Sequence, residues 1–171
     1  MECSARGDLT RRHNAICAVV AYAASQAGLA PVREMRGLIQ GNQEKPADVY
    51  VEHFDGGRSL VIDISVTSPV QASLVTAAAE TQLFAAQKRV RDKHAKYDSK
   101  LPGRAYLMVA AVETFGGWHC EAKKVFKRLA EMIAGRNNTR WQQELKLLYG
   151  RLAMALMRYN ANAFLSRRCD I

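Results

Sequence analysis

Hydrophobic and polar positions divide the chain into segments of two periods. From Asp8 or Thr10, either of which suits a helix N-cap, Ile16, Val19, Val20 and Ala23 form one apolar stripe at helical spacing. Gly28 and Pro31 stop that helix near Gln26. Residues 29–40 carry a weaker pattern that fits a short strand or irregular edge. Ala47 to His53 alternates and is rich in β-formers, and Asp55-Gly56-Gly57 is a strong turn signal after it. Ser59 to Val66 is a nearly continuous β-branched run, the pattern of a central strand buried on both faces. From Gln71 to about Ser99 the chain is rich in Ala, Gln and Lys and almost free of breakers, which predicts one long helix ended by Leu101-Pro102-Gly103. Arg104 to Val112 returns to an apolar strand, closed by Gly116-Gly117. Two helices over about 119–134 and 139–165 finish the chain. The last carries Leu145, Leu148, Leu152, Leu156 and Tyr159 at helical spacing, a core face first and a dimer seam second.

A hairpin followed by a helical crossover into another strand predicts an α/β fold with a mixed sheet of about four strands, flanked by helices and extended by C-terminal ones. Nothing in the pattern marks a repeat or an interdomain linker. The expected organisation is a flexible segment over 1–9 and one domain over 10–171, its core spanning about 10–134. A length of 171 residues suits one domain, and 49% apolar residues exclude global disorder. Charge changes the picture more. Lys plus Arg number 25 against 16 Asp plus Glu, and a net +9 favours a polyanionic partner, nucleic acid before an anionic membrane surface. The longest apolar stretch, Ile16 to Ala24, is about half of what a bilayer crossing needs, so no membrane span is expected. No basic segment followed by an apolar core and cleavage site opens the chain, so no secretory leader is expected. Cys3, Cys17, Cys120 and Cys169 are scattered and read as reduced thiols of an intracellular protein.

Two carboxylates stand in unlikely places. Asp48 begins the first strong strand after Lys45-Pro46-Ala47, and Asp63 interrupts the apolar run Val61-Ile62-Asp63-Ile64-Ser65. A buried aspartate needs a cation, a metal or a strand-end position at a cleft; a salt-bridged or bulge aspartate is the plainer reading. If the two strands pair through the Asp55–Gly57 turn, both carboxylates meet at one end of the hairpin. Close carboxylates repel unless a divalent cation lies between them, and oxygen donors suit Mg²⁺ or Mn²⁺. The backbone carbonyl of Ile64 offers a third oxygen, and Glu34 is a further candidate acid or else an exposed strand charge. Arg11, Arg12 and His13 oppose the dipole at the start of the first helix, which suits either a local anion such as a phosphate or a solvated basic turn. Lys88, Arg89, Arg91, Lys93, Lys96 and Lys100 crowd the long helix, either as a solvated face or as a DNA surface. Lys123, Lys124, Lys127 and Arg128 add a second patch suited to nonspecific phosphate contact. His13, His53, His94 and His119 show no metal-ligand spacing.

Pro46-Ala47-Asp48, followed after 14 residues by Asp63, resembles the PD-(D/E)XK core of restriction-endonuclease-like nucleases. With Lys93-His94-Ala95-Lys96-Tyr97, Arg12-His13-Asn14 and Glu113-Thr114-Phe115-Gly116, the chain resembles more narrowly the C-terminal endonuclease domain of site-specific non-LTR retrotransposon proteins over about residues 10–120. Two positions depart from the pattern. Ala47 separates the proline from Asp48, and Ser65 stands where many nucleases of this fold place lysine. A CCHC zinc motif precedes such domains and Cys3 stands where its last ligand would, but one cysteine cannot hold zinc, so no zinc is expected.

The resemblance implies a Mg²⁺- or Mn²⁺-dependent DNA endonuclease that serves retroelement integration. Asp48, Asp63, Ile64 and Glu34 would hold metal, Lys93 and Lys96 would supply the lysines, and Arg11, Arg12, His13, Lys88 and Arg91 would contact DNA. Between the two lysines, Lys96 is expected at the reacting phosphate, because Tyr97 and Pro102 suggest that the helix end docks on the sheet; Lys93 is expected on backbone phosphate. A reverse transcriptase region of the same polypeptide and a second copy of the chain are the implied protein partners, with a nuclear location if the source is eukaryotic. Ser65 motivates the competing expectation of a nucleic-acid-binding module that keeps the scaffold without cutting.

Overall fold

The computed structural model describes residues 6–39 and 45–165. Its organising element is the hairpin of β2 (Ala47–Asp55) and β3 (Arg58–Thr67). Gly56 and Gly57 take φ of +55° and +77°, a left-handed pair open to glycine at little cost, so the strands reverse in two residues. β2 also pairs antiparallel with β1 (Pro31–Met35), while β3 pairs parallel with β4 (Ala105–Glu113). The sheet is therefore mixed, four-stranded and ordered β1-β2-β3-β4. The expected α/β class, the mixed sheet and the central place of the 59–66 run are all present.

Helices cover both faces of this sheet. α1 (Arg6–Gln26), α4 (Cys120–Asn137) and α5 (Trp141–Leu165) pack on one face, where Ile16 and Val20 meet Leu60, Ile62 and Ile64 of β3 and Phe126 of α4. α3 (Phe84–Tyr97) packs on the other, where Ala86, Val90 and Tyr97 meet Tyr50, Val61 and Val109. β3 is thus buried on both sides, as its β-branched run requires. Burial of each such side chain contributes about 1.5–3 kcal/mol. On α5, Leu148, Leu152 and Leu156 form the core face, while Met154, Met157 and Phe164 are exposed.

Two expectations need correction. α1 begins at Arg6, so residues 6–9 are helical and not a flexible lead; residues 1–5, with Cys3, and residues 166–171, with Cys169, lie outside the described residues. The single helix over 71–99 is instead a short α2 (Val75–Glu80), a break at Thr81–Leu83, then α3 and a 3₁₀ turn at Asp98–Lys100. The break has a tertiary cause. Leu83 adopts a left-handed conformation with φ of 60°, and its side chain packs where a β-carbon at Gly117 would overlap it. Buried Glu113, at the end of β4, then accepts hydrogen bonds from the backbone N–H groups of Ala85 and Ala86 at 3.1 and 3.3 Å. A carboxylate from the sheet caps α3, which removes the need for α2 to run through.

Glu113→Ala leaves those two buried N–H groups without an acceptor and is expected to cost about 1–3 kcal/mol. A lower urea midpoint at unchanged slope, with faster amide exchange at Ala85 and Ala86, checks this; an unchanged midpoint refutes the cap.

Candidate functional site

Asp63 sits in the middle of β3, 3% exposed, on the face between Val61 and Ser65 that looks toward α3. Both carboxylate oxygens are engaged. Ser65 Oγ donates to Oδ1 at 2.8 Å, and Lys93 Nζ donates to Oδ2 at 2.5 Å. A lone charge there would cost several kcal/mol, and the ammonium and hydroxyl together offset that cost. Lys93 reaches the sheet because it belongs to the buried stripe of α3: Ala86, Val90, Lys93 and Tyr97 recur at intervals of four, three and four. Its ammonium also lies 5.5 Å from the centre of the Tyr97 ring. Lys96 falls outside the stripe and is exposed, its Nζ 4.8 Å from the same ring. Of the two lysines, Lys93 meets the strand carboxylate and Lys96 does not. Ser65, standing where a lysine was expected, holds the carboxylate from its other side.

Asp48 starts β2 one step beyond the last ladder pair, Val49 with Ile62, so continuing the register sets it opposite Asp63 on the neighbouring strand. The two side chains take different partners. Asp48 Oδ2 accepts the backbone N–H of Ile64 at 2.6 Å and the His13 Nε2 hydrogen of α1 at 3.1 Å. Ile64 thus meets Asp48 through its backbone N–H. Hydrogen bonds from His13 to Asp48 and to Cys17 outweigh burial and push the imidazole up to about 11, so it is an imidazolium at neutral pH. The Cys17 thiol is buried, and desolvation raises it above its ordinary value.

The remaining expected site residues lie elsewhere or do other work. Glu34 is exposed on β1 and pairs with Lys45 at 2.5 Å, so it does not join the two aspartates. Arg12 is 7% exposed, which removes it from any DNA surface; Nη1 donates to Asn160 Oδ1 at 2.8 Å, and Asn160 Nδ2 donates to the Thr114 carbonyl. His13 is likewise turned inward to Asp48. Arg11 is exposed beside Asp8, Lys88 pairs with Asp92, and Arg91 is exposed on α3. Lys123 and Lys124 are exposed on α4. A cleft of about 950 Å³ between α1 and α5 is lined by residues such as Val19, Tyr22 and Met154 and by neither aspartate.

Glu121 was missed as a member of the site's frame. From the first turn of α4 it accepts the Val109 N–H of β4 at 2.9 Å and faces His94 Nε2 at 3.0 Å. The other ring nitrogen of His94 faces Asp98 at 2.9 Å. Glu121 thus ties edge strand β4 to the helix turn that carries Lys93. No sequence period marks that link, because it joins three elements far apart in the chain. Cys17 was also missed as a neighbour of His13, although the pair stands at i, i+4 on a helix.

No protein-family model and no curated protein matches the sequence. Among the described residues, no helix is long and apolar enough to cross a membrane.

Burial disfavours the charged His94 ring, but its hydrogen bonds to Asp98 and Glu121 prevail and raise it above 6.5. Stability from this link is therefore fully present below about pH 6.5 and is lost as pH rises through the higher folded-state value. Thermal unfolding of His94→Gln against the parent should show the largest gap in Tm below that pH and a narrowing gap above it. A gap that widens with pH would refute the assignment.

Proposed function

We propose that the chain is a metal-dependent DNA endonuclease with a restriction-endonuclease-like core of the PD-(D/E)XK kind. The observation that carries this reading is the Lys93 ammonium held on buried Asp63, with Asp48 at the facing position of the neighbouring strand. A purely structural ion pair has little reason to occupy the centre of an apolar strand, where a well-packed hydrophobic pair serves as well or better. Buried charge of this kind is what a reacting centre needs. The donor set fits a hard divalent ion such as Mg²⁺ or Mn²⁺: carboxylate oxygens on two adjacent strands, with the basic surface of α3 beside them.

A bound ion of that class supplies water activation and neutralises charge on the leaving oxygen. Asp63 and Asp48 would hold it, Asp63 sharing its oxygens with Lys93 and Ser65 and Asp48 turning from His13 to reach it. Ser65 fixes the orientation of Asp63 by its hydroxyl, and Ile64 fixes Asp48 by its N–H. Lys93 keeps a proton at Nζ and places positive charge where the scissile phosphate gains negative charge. Exposed Arg91 and Lys96 hold backbone phosphate. The net charge of +9 draws the polyanion to the surface. In this reading the substrate is DNA, and a reverse transcriptase region of the same polypeptide and a second copy of the chain are the protein partners.

A second reading has its own observation. Asp48 Oδ2 already accepts from His13 and Ile64, and no lysine stands at position 65, so the scaffold would bind nucleic acid without cutting.

Supercoiled plasmid with Mg²⁺ or Mn²⁺ separates the two. The nuclease reading expects nicking by the parent, none in excess EDTA, and none by Asp63→Asn while DNA retention persists. Lys93→Ala should lower the single-turnover rate about 10²–10³-fold, and Lys96→Ala should mainly weaken binding. Nicking by Asp63→Asn, or activity in EDTA, overturns the assignment. Salt-sensitive binding with no nicking at any metal concentration selects the binding module.

A further inference from the structure

His13 and Cys17 stand four residues apart on α1 and so project from the same face, toward the start of β2. There they meet Asp48. One ligand atom from each of the three side chains lies within 4.8 Å of the other two. His13 Nε2 is 3.1 Å from Asp48 Oδ2, and Cys17 Sγ lies beside the ring, 3.6 Å from Nδ1 and 3.7 Å from Nε2. Ligand atoms around a tetrahedral zinc ion sit roughly 3.3–3.8 Å apart, given metal–ligand bonds of about 2.0–2.3 Å. The Nε2–Oδ2 separation is thus close to what an ion would impose, and Sγ is near enough to join it by swinging from the ring toward Nε2. Asn14 Oδ1 lies 3.4 Å from His13 Nδ1, behind the ring. An acceptor in that place orients a ligating histidine and fixes its tautomer.

We propose that His13 Nε2, Cys17 Sγ and Asp48 form a binding site for a borderline-soft divalent ion of the zinc class. Nitrogen, sulfur and one carboxylate oxygen suit Zn²⁺ or Co²⁺; thiolate and imidazole disfavour Mg²⁺. Three protein ligands leave a fourth position for water. Cys17 closes the inner side of the site, 2% exposed, whereas the His13 side chain is 32% exposed and leaves an entry path. Binding displaces two protons to solvent, one from the Cys17 thiol and one from His13 Nε2, so the ion replaces the proton that now joins His13 to Asp48. The site is distinct from the hard-ion centre but shares Asp48 with it. A soft ion here holds that carboxylate toward α1.

Cobalt(II) reports the site directly, because a thiolate ligand gives an intense sulfur-to-cobalt charge-transfer band in the near ultraviolet. The protein to titrate is the full chain with Cys3, Cys120 and Cys169 changed to Ser, which also removes the neighbouring His119 and Cys120 as an alternative ligand pair. One equivalent of Co²⁺ should develop the band, and Zn²⁺ should bleach it. Cys17→Ser should abolish it, and His13→Gln should weaken binding at least tenfold while the fold persists by circular dichroism. No saturable band in the Cys17-only protein overturns the proposal, as does a band that survives Cys17→Ser. No DNA is cut in the assay, so its failure is separate from failure of the nuclease reading.

Discussion

The Asp63–Lys93 pair sets the terms for the rest of the structure. An ionised carboxylate in the middle of a strand covered on both faces is tolerable only if an opposite charge is delivered to it through the covering layer. That requirement fixes α3 in rotation and in register along β3. Lys93 must occupy a position of the helix that would otherwise be apolar, and it does, between Val90 and Tyr97 in the buried stripe. Ser65 completes the arrangement by satisfying the second oxygen. A hydrophobic residue at 63 would relax all three constraints, and α3 would then need only an approximate fit.

Such a fit requires a rigid frame, and carboxylates from the other elements provide it at both ends of α3. Glu113 of β4 accepts the first free N–H groups of the helix, and Glu121 of α4 faces His94 one residue after Lys93 while also accepting an N–H of β4. Among the described residues, the apolar cluster under α3 is the smaller of the two cores, so it resists sliding less than the cluster beneath α1, α4 and α5. Directional polar contacts supply the missing restraint. They also explain why the chain breaks its long helical segment near Leu83: the helix starts where Glu113 can cap it.

The sheet was legible in the sequence because its signals are local. Gly-Gly requires the left-handed turn, the β-branched run of β3 requires burial on both faces, and a crossover helix requires a parallel partner for it. The break at Thr81–Leu83 was not legible, since Ala-rich sequence favours continuation and the competing cap arrives from a strand about thirty residues later. Lys93 was legible in principle: the spacing of Ala86, Val90 and Tyr97 already encloses it, whereas reasoning from the Pro102 stop pointed to Lys96. Arg12 was not, because a basic first turn looks solvated until α5 folds over it and Asn160 takes its guanidinium. Position along one element predicts exposure poorly when a distant helix closes the surface.

Asp48 is where these constraints leave freedom. Asp63 is enclosed by β3 and α3, and its two oxygens are both committed. Asp48 lies at the strand end, 19% exposed as a side chain, and His13 and the Ile64 N–H both meet one oxygen, Oδ2. Two of its neighbours differ in kind: the Ile64 N–H is fixed by the sheet, whereas His13 and Cys17 come from a helix surface and exchange protons. The fixed contact holds the carboxylate at the strand end. The exchangeable one decides its charge environment, since an imidazolium, a neutral ring or a ligated ion at His13 presents Asp48 with different neighbours. Control over this end of the hairpin therefore belongs to α1.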